Sequence, residues 1–394
     1  MKKQTQAIHL EYERRDAYDS LSVPVYNTLA YEFDNAAVMA EAFTDKIKAP
    51  DYSRVENPTV TNLERRVAAL TDAAHATAFN SGMAAISNTL MALAAQGKNI
   101  VTSKHLFGNT YALLVATLRR FGVKVRLRDL TNIEAVREAI DDDTCCVFLE
   151  ILTNPQLEVA DLKAISEVAH EKNVPLVVDS TVIPFTQFSA KSLGVDIEVV
   201  SSSKYVSGGA TSLGGLVIDY GTPYNGDFAK RLYGEMLFNF GAYMTPQVAY
   251  MQTIGLETLD ARYRVQSSNA LELAKKLRSL PQIKYVNHVG LEDNPYHELA
   301  QRQFGKTAGA MICIDLESKE ACFSFLNNLK LIHRATNLFD NRSLAIHPAS
   351  TIFGAFSESM RKSMDVKDTT IRLSVGLEDV DDLFEDIKQA VDSL

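Results

Sequence analysis

The chain has 394 residues, a formal net charge of −9 and a hydrophobic share of 46%, enough for two domains with a large buried core. Acidic and basic residues are mixed along it, which excludes the concentrated basic face that nucleic acid requires and the polybasic stretch that would hold a membrane surface. The opening MKKQTQAIHL has no apolar run behind its lysines and does not read as a secretion signal. No apolar stretch is long enough to span a bilayer, and the four cysteines form no C-x-x-C pair. A cytoplasmic protein with reduced thiols and no metal site is the expectation.

Residues 1–53 read as an irregular arm. From Thr61 the spacing of Leu63, Val67 and Leu70 predicts a helix capped by Thr61. A second helix is predicted to start near Gly82, with Ile86, Leu90 and Leu93 on one face. Strands and helices then alternate: strand 99–103, helix 110–120, strand 123–127, the apolar run CCVFLEIL (145–152), a helix capped by Asp161, and strands 175–179, 196–200 and 213–219. Apolar runs of this kind suit strands buried on both faces, so the pattern predicts an α/β domain, 54–245, with a mainly parallel sheet. Beyond Pro246 a long helical stretch leads into a smaller α+β domain, 246–394, with strands at 310–316 and 370–374 and a last helix at 380–394.

Ligands of parallel sheets bind at the carboxyl ends of strands, and three predicted strand ends carry polar groups. Asp179 closes PLVVD, Glu150 and Asn154 sit at or just past CCVFLEIL, and Ser201 to Lys204 follow DIEVV. A lysine among hydroxyls and glycines can hold an aldehyde cofactor as an imine while hydroxyls and backbone N–H groups hold a phosphate. An upstream carboxylate can keep a pyridine nitrogen protonated. Ser81-Gly82-Met83 adds a helix start whose free N–H groups attract an anion.

The ordered segments LSVPVY (21–26), YSRVENPT (52–59), FNSGMAAI (79–86), LFGNTY (106–111), the Glu150 to Pro155 element, VVDST (177–181), SSSKY (201–205), HPAST (347–351) and IRLSVGLED (371–379) resemble the Cys/Met-metabolism, or trans-sulfuration, family of pyridoxal-5′-phosphate (PLP) enzymes over nearly the whole chain. The resemblance implies the aspartate-aminotransferase-like transferase fold (fold type I). It implies PLP on Lys204, its ring nitrogen paired with Asp179, its ring against Phe107, and its phosphate on Gly82, Met83, Ser201 and Ser203. Tyr52 and Arg54 would reach that phosphate from a neighbouring subunit, which makes a homodimer the minimum and a tetramer the usual assembly. Arg372, with Asn154 and Asn337, would bind the carboxylate of a small amino-acid substrate.

Several positions depart from the family pattern. Phe107 stands where a tyrosine is usual, so no hydroxyl is available there for proton transfer. Phe339 and Phe353 replace a glycine and a histidine, and with Ile352 they are expected to build an apolar wall at the substrate. The cysteine usual in methionine γ-lyases is Asn109 here, and the run ATNLFDNRSLAIHPAST looks most like O-acetylhomoserine sulfhydrylases. The implied reaction is γ-replacement on O-acetyl-L-homoserine by sulfide or a thiol. A γ-lyase acting on methionine or cystathionine and a catalytically inactive PLP-binding relative remain as alternatives.

Overall fold

The computed structural model describes residues 1–10, 16–44, 46–306 and 309–394. Its largest element is a seven-stranded sheet of β1 (His75–Phe79), β2 (Asn99–Thr102), β3 (Lys124–Leu127), β4 (Thr144–Glu150), β5 (Leu176–Asp179), β6 (Ile197–Val200) and β7 (Gly215–Asp219), in the order β1-β7-β6-β5-β4-β2-β3. The pairs β2/β3, β2/β4, β4/β5 and β5/β6 are parallel, whereas β7 runs antiparallel to both β6 and β1. The central strands are buried along almost their whole length, which is why they read as continuous apolar runs rather than alternating ones. β1 is not announced by the sequence: two of the five residues of HATAF are alanine, a poor strand signal taken alone, and the strand is held by its pairing to β7.

A second sheet of five strands comprises β8 (Tyr285–Asn287), β9 (Met311–Asp315), β10 (His333–Arg334), β11 (Leu344–Ile346) and β12 (Thr370–Ser374), in the order β10-β11-β12-β9-β8. The helix Pro246–Leu277 links the two sheets. Thr245 caps it and Pro246 occupies its first turn, the position where a missing N–H does no harm. It packs on the segment 205–207 beside the first sheet and on β8 and β9 of the second.

Two predicted helix starts differ in outcome. Ser81 Oγ accepts from Ala84 N–H at 3.1 Å and opens the helix Gly82–Leu93 as expected. The preceding helix is Pro58–Thr71, capped by Asn57 rather than Thr61. Asn57 with Pro58 behind it is the stronger start signal, since asparagine accepts from the first turn and proline presets φ. The helix expected at 110–120 is an α turn (Gly108–Ala112) followed by a π turn (Leu113–Thr117) and a 3-10 turn (Leu118–Phe121). The arm is not wholly irregular either, for Lys3–His9 and Ala36–Ala42 are short helices. Among the described residues no helix is long and apolar enough to cross a membrane.

Candidate active site

Because β4, β5 and β6 run parallel, their carboxyl ends lie on one edge of the sheet, and a cavity of about 530 Å³ opens there. Nine of the twelve residues singled out from sequence line it: Gly82, Met83, Phe107, Asn154, Asp179, Ser201, Ser203, Lys204 and Arg372. Asn337 joins them through its side chain, for Lys204 Nζ donates to Asn337 Oδ1 at 2.7 Å. A second cavity, of about 260 Å³, lies around Gln156, Tyr285 and Cys313 and contains none of the twelve.

Close packing builds the phosphate end. A Cβ on Gly82 would stand 2.5 Å from the Cβ of Ser201, so only glycine lets the helix start approach the Ser201 loop. The first-turn N–H groups of that helix have no partner within the helix. Ser201 N–H donates to Thr181 Oγ1 at 2.8 Å, and Ser203 Oγ accepts from Gly214 N–H at 2.9 Å. The result is a small concavity of backbone donors and hydroxyls, a donor set suited to phosphate.

Two carboxyl groups stand at the centre. Glu150 and Asp179 are paired across β4 and β5. Burial pushes Glu150 up to about 8, and the neighbouring Asp179 adds to the shift; burial also raises Asp179. Asp179 Oδ1 accepts from Thr181 N–H at 2.9 Å, and Glu150 Oε1 accepts from Phe107 N–H at 2.5 Å. A protonated ring nitrogen beside Asp179 would supply the countercharge that this buried pair lacks.

Arg372 on β12 closes the other end. Its Nη1 donates to Asn154 Oδ1 at 3.2 Å and its Nη2 to the Asn337 carbonyl at 3.3 Å, while Nε is buried without a partner. It is 2% exposed, and no carboxylate faces it among the described residues. A buried guanidinium whose partners are neutral lacks a countercharge, which an anion in the adjoining cavity would supply. Burial pulls Arg372 down to about 10. Burial, and then the Arg372 charge, bring Lys204 down to about 8, so a usable share of its amine is uncharged near neutral pH.

The structure corrects one expectation about the walls. Phe339 and Phe353 are fully buried and do not line the cavity. Phe339, at φ 56°, turns inward and stacks on Tyr205 with ring centroids 4.0 Å apart; Phe353 packs against Phe356 at 5.8 Å. Ile352 lines the cavity as expected, and the rest of the apolar wall is formed by Ile86, Leu152, Val182, Leu213 and Leu338. Sequence reasoning assigned no role to Thr181, Thr336 or Leu338; the last two flank Asn337, and that was their only signal. Asn109 is exposed and outside the walls. Tyr52 and Arg54 are also outside this chain's own cavity, the Arg54 guanidinium lying 4.9 Å from the Tyr52 ring centroid.

A seven-stranded, mainly parallel sheet with a lysine after one strand, an aspartate closing the next and a phosphate cradle beside both defines a PLP-dependent enzyme of the aspartate-aminotransferase type. Comparison with known proteins narrows the class. The sequence profile described as "Cys/Met metabolism PLP-dependent enzyme" matches residues 4–392. L-methionine gamma-lyase of Fusobacterium nucleatum subsp. polymorphum is 37% identical, the match covering 99% of this chain and 98% of that one. O-acetyl-L-homoserine sulfhydrylase of Corynebacterium glutamicum is 32% identical over 98% of this chain and 95% of its own. A solved Campylobacter jejuni structure, described as an O-acetylhomoserine (thiol)-lyase and carrying N′-pyridoxyl-lysine-5′-monophosphate, superposes with a TM-score of 0.95 at 34% identity, with all of both chains covered. The chain belongs to the Cys/Met metabolism family of PLP-dependent enzymes, and its cofactor is pyridoxal 5′-phosphate.

Proposed function

We propose that the protein catalyses γ-replacement on O-acetyl-L-homoserine: the Cγ–O bond breaks, acetate leaves with the bonding pair, and hydrosulfide or a thiol forms the new Cγ–S bond. The observation that carries this choice is the 2.7 Å contact between Lys204 Nζ and Asn337 Oδ1, because Asn337 lies in the run ATNLFDNRSLAIHPAST, by which the sequence resembles the sulfhydrylases. Held at Lys204, the cofactor would supply an electron sink for the pair left on the substrate when a proton is removed from Cα. Arg372 and Asn154 hold the substrate carboxylate, and Asn337 orients the Lys204 amine, which takes and returns protons at Cα and Cβ. Phe107 would stack on the cofactor ring, and without a hydroxyl it has no proton to transfer. The apolar wall keeps bulk water from the carbon chain, which favours the sulfur nucleophile over hydrolysis.

We divide the chain into an arm (1–53), a cofactor-binding domain (54–245) and a smaller domain (246–394). Tyr52 and Arg54, remote from their own cavity, complete the phosphate site of a neighbouring copy. A dimer is then the smallest active unit, and a tetramer is the expected assembly. The four cysteines are free thiols, in keeping with a reducing, cytoplasmic setting.

The 37% identity to an L-methionine gamma-lyase supports a second reading, γ-elimination to a 2-oxo acid and ammonia. One experiment separates the two: incubation with O-acetyl-L-homoserine, with and without sulfide, assaying homocysteine and 2-oxobutyrate. Sulfide-dependent homocysteine establishes replacement. 2-Oxobutyrate regardless of sulfide overturns it in favour of the lyase.

A further inference from the structure

His105 plays no part in the chemistry above, yet it joins the two halves of the site. It is 7% exposed at its side chain and sits between two carboxylates: Nδ1 is 2.5 Å from Glu158 Oε2, and Nε2 is 2.8 Å from Asp365 Oδ2. A carboxylate only accepts hydrogen bonds, so both ring nitrogens must donate, which the imidazolium alone can do. Glu158 belongs to the turn beyond β4, and Asp365 to the segment after the helix Glu358–Ser363. The other charged groups around the ring are Lys104, whose Nζ is 2.7 Å from the same Asp365 oxygen, and Glu150, which shares with His105 the wall of a cavity of about 20 Å³.

What His105 ties down faces the cofactor. Two residues further on is Phe107, whose N–H donates to Glu150. A Cβ on Gly108 would stand 2.7 Å from the Ile352 carbonyl, so the Phe107 loop and the segment 347–366 are already in contact at the cavity. That segment contributes Thr351 and Ile352 to the walls. A second tether runs parallel to the first, from Gln156 Nε2 to the Met364 carbonyl at 2.7 Å.

We propose that His105 is a positioning residue: as an imidazolium held between Glu158 and Asp365, it seats the Phe107 loop and pins segment 347–366 across the cavity. Burial works against the charge, but the bonds to Glu158 and Asp365 outweigh it and raise the His105 pKa. The latch is therefore complete at pH values below the ordinary histidine range and is lost as pH rises through the raised value. Asp365 is held below its ordinary value, the bonds from Lys104 and His105 outweighing its burial, and does not titrate in that window.

The test uses the PLP-loaded enzyme and L-alanine, an amino acid without a leaving group, titrated through the cofactor's visible band. It rests on the cofactor and not on the reaction proposed above. His105→Gln is expected to weaken L-alanine binding about tenfold at pH 7, the equivalent of one charge-assisted bond. The ratio of variant to wild-type dissociation constants should shrink toward one as pH rises. Asp365→Asn, which leaves His105 and Glu158 in place, should show the same falling ratio at smaller size, and it serves alone if His105→Gln does not fold. A ratio of one at pH 7, or a ratio constant with pH, overturns the proposal; the latter is what a merely structural role would give.

Discussion

Replacing Arg372 with methionine removes the guanidinium and keeps most of the apolar stem. In the wild type this cation is buried, its bonds to Asn154 and Asn337 are 3.2 and 3.3 Å long, and its Nε has no partner. A substrate carboxylate would therefore gain two charge-assisted bonds worth about 1.5–3 kcal/mol each. Their loss corresponds to a fall of about 10²- to 10⁴-fold in kcat/KM. Stability should behave differently: removing a buried charge that lacks a countercharge relieves its desolvation, which offsets the two neutral bonds, so the change in unfolding free energy should stay within about 2 kcal/mol. Steady-state kinetics at saturating cofactor and urea unfolding of the cofactor-free protein measure the two quantities. A kinetic loss under tenfold, or a stability loss above about 4 kcal/mol, would show that Arg372 is a structural cation and not a carboxylate receptor.

The pH dependence of stability offers a further check with opposite signs for two groups. Glu150, raised to about 8 from an ordinary 4.5, contributes stability that is complete below 4.5 and lost as pH rises through 8; Glu150→Gln, which keeps the acceptor for Phe107 N–H, should abolish that loss in urea unfolding measured between pH 5 and 8. Lys204, lowered to about 8 from 10.5, favours folding above 10.5 and loses that contribution as pH falls through 8, so Lys204→Met should flatten the pH profile in the opposite sense. Gly82→Ala forces a methyl group to within 2.5 Å of Ser201 and should destabilise the fold by about 1–3 kcal/mol while weakening cofactor retention on dialysis. Mixing inactive Arg54→Ala and Lys204→Ala subunits should restore about a quarter of wild-type activity, because half the reassorted dimers carry one intact composite site; no recovery after verified subunit exchange would mean that each site is built from one chain.

Much of this was legible in the sequence because the chemistry sits at strand ends, and buried parallel strands announce themselves as apolar runs. The strand pattern alone puts Asp179 and Lys204 on the same sheet edge, and the cavity collects both. What stayed hidden depends on the direction in which side chains point. Phe339 follows Leu338, which lines the cavity, but its positive φ turns it onto Tyr205 in the core; no spacing rule reports such a turn. Arg372 meets Asn154 across 218 residues of sequence, and the link between Asn337 and Lys204 spans 133. The Asn57 cap is a different case, since the Asn-Pro signal is present in the sequence and outweighs Thr61 as a helix start.

The helix Pro246–Leu277 also fixes a length. Its 32 residues make a rod of about 48 Å. Near its start a Cβ on Gly255 would stand 2.0 Å from the carbonyl of Val206, two residues beyond Lys204. Further along, Gln266 Nε2 donates to the Asp340 carbonyl, three residues beyond Asn337, at 2.7 Å, and Asn269 Nδ2 donates to the Glu378 carbonyl at 2.8 Å. The lysine and its asparagine are thus held to one ruler with marks about eleven residues apart. One residue inserted between Gly255 and Gln266 would turn the later mark by about 100° and aim Gln266 away from the Asp340 loop. Between those two marks the exposed side chains can change, but the count of residues cannot.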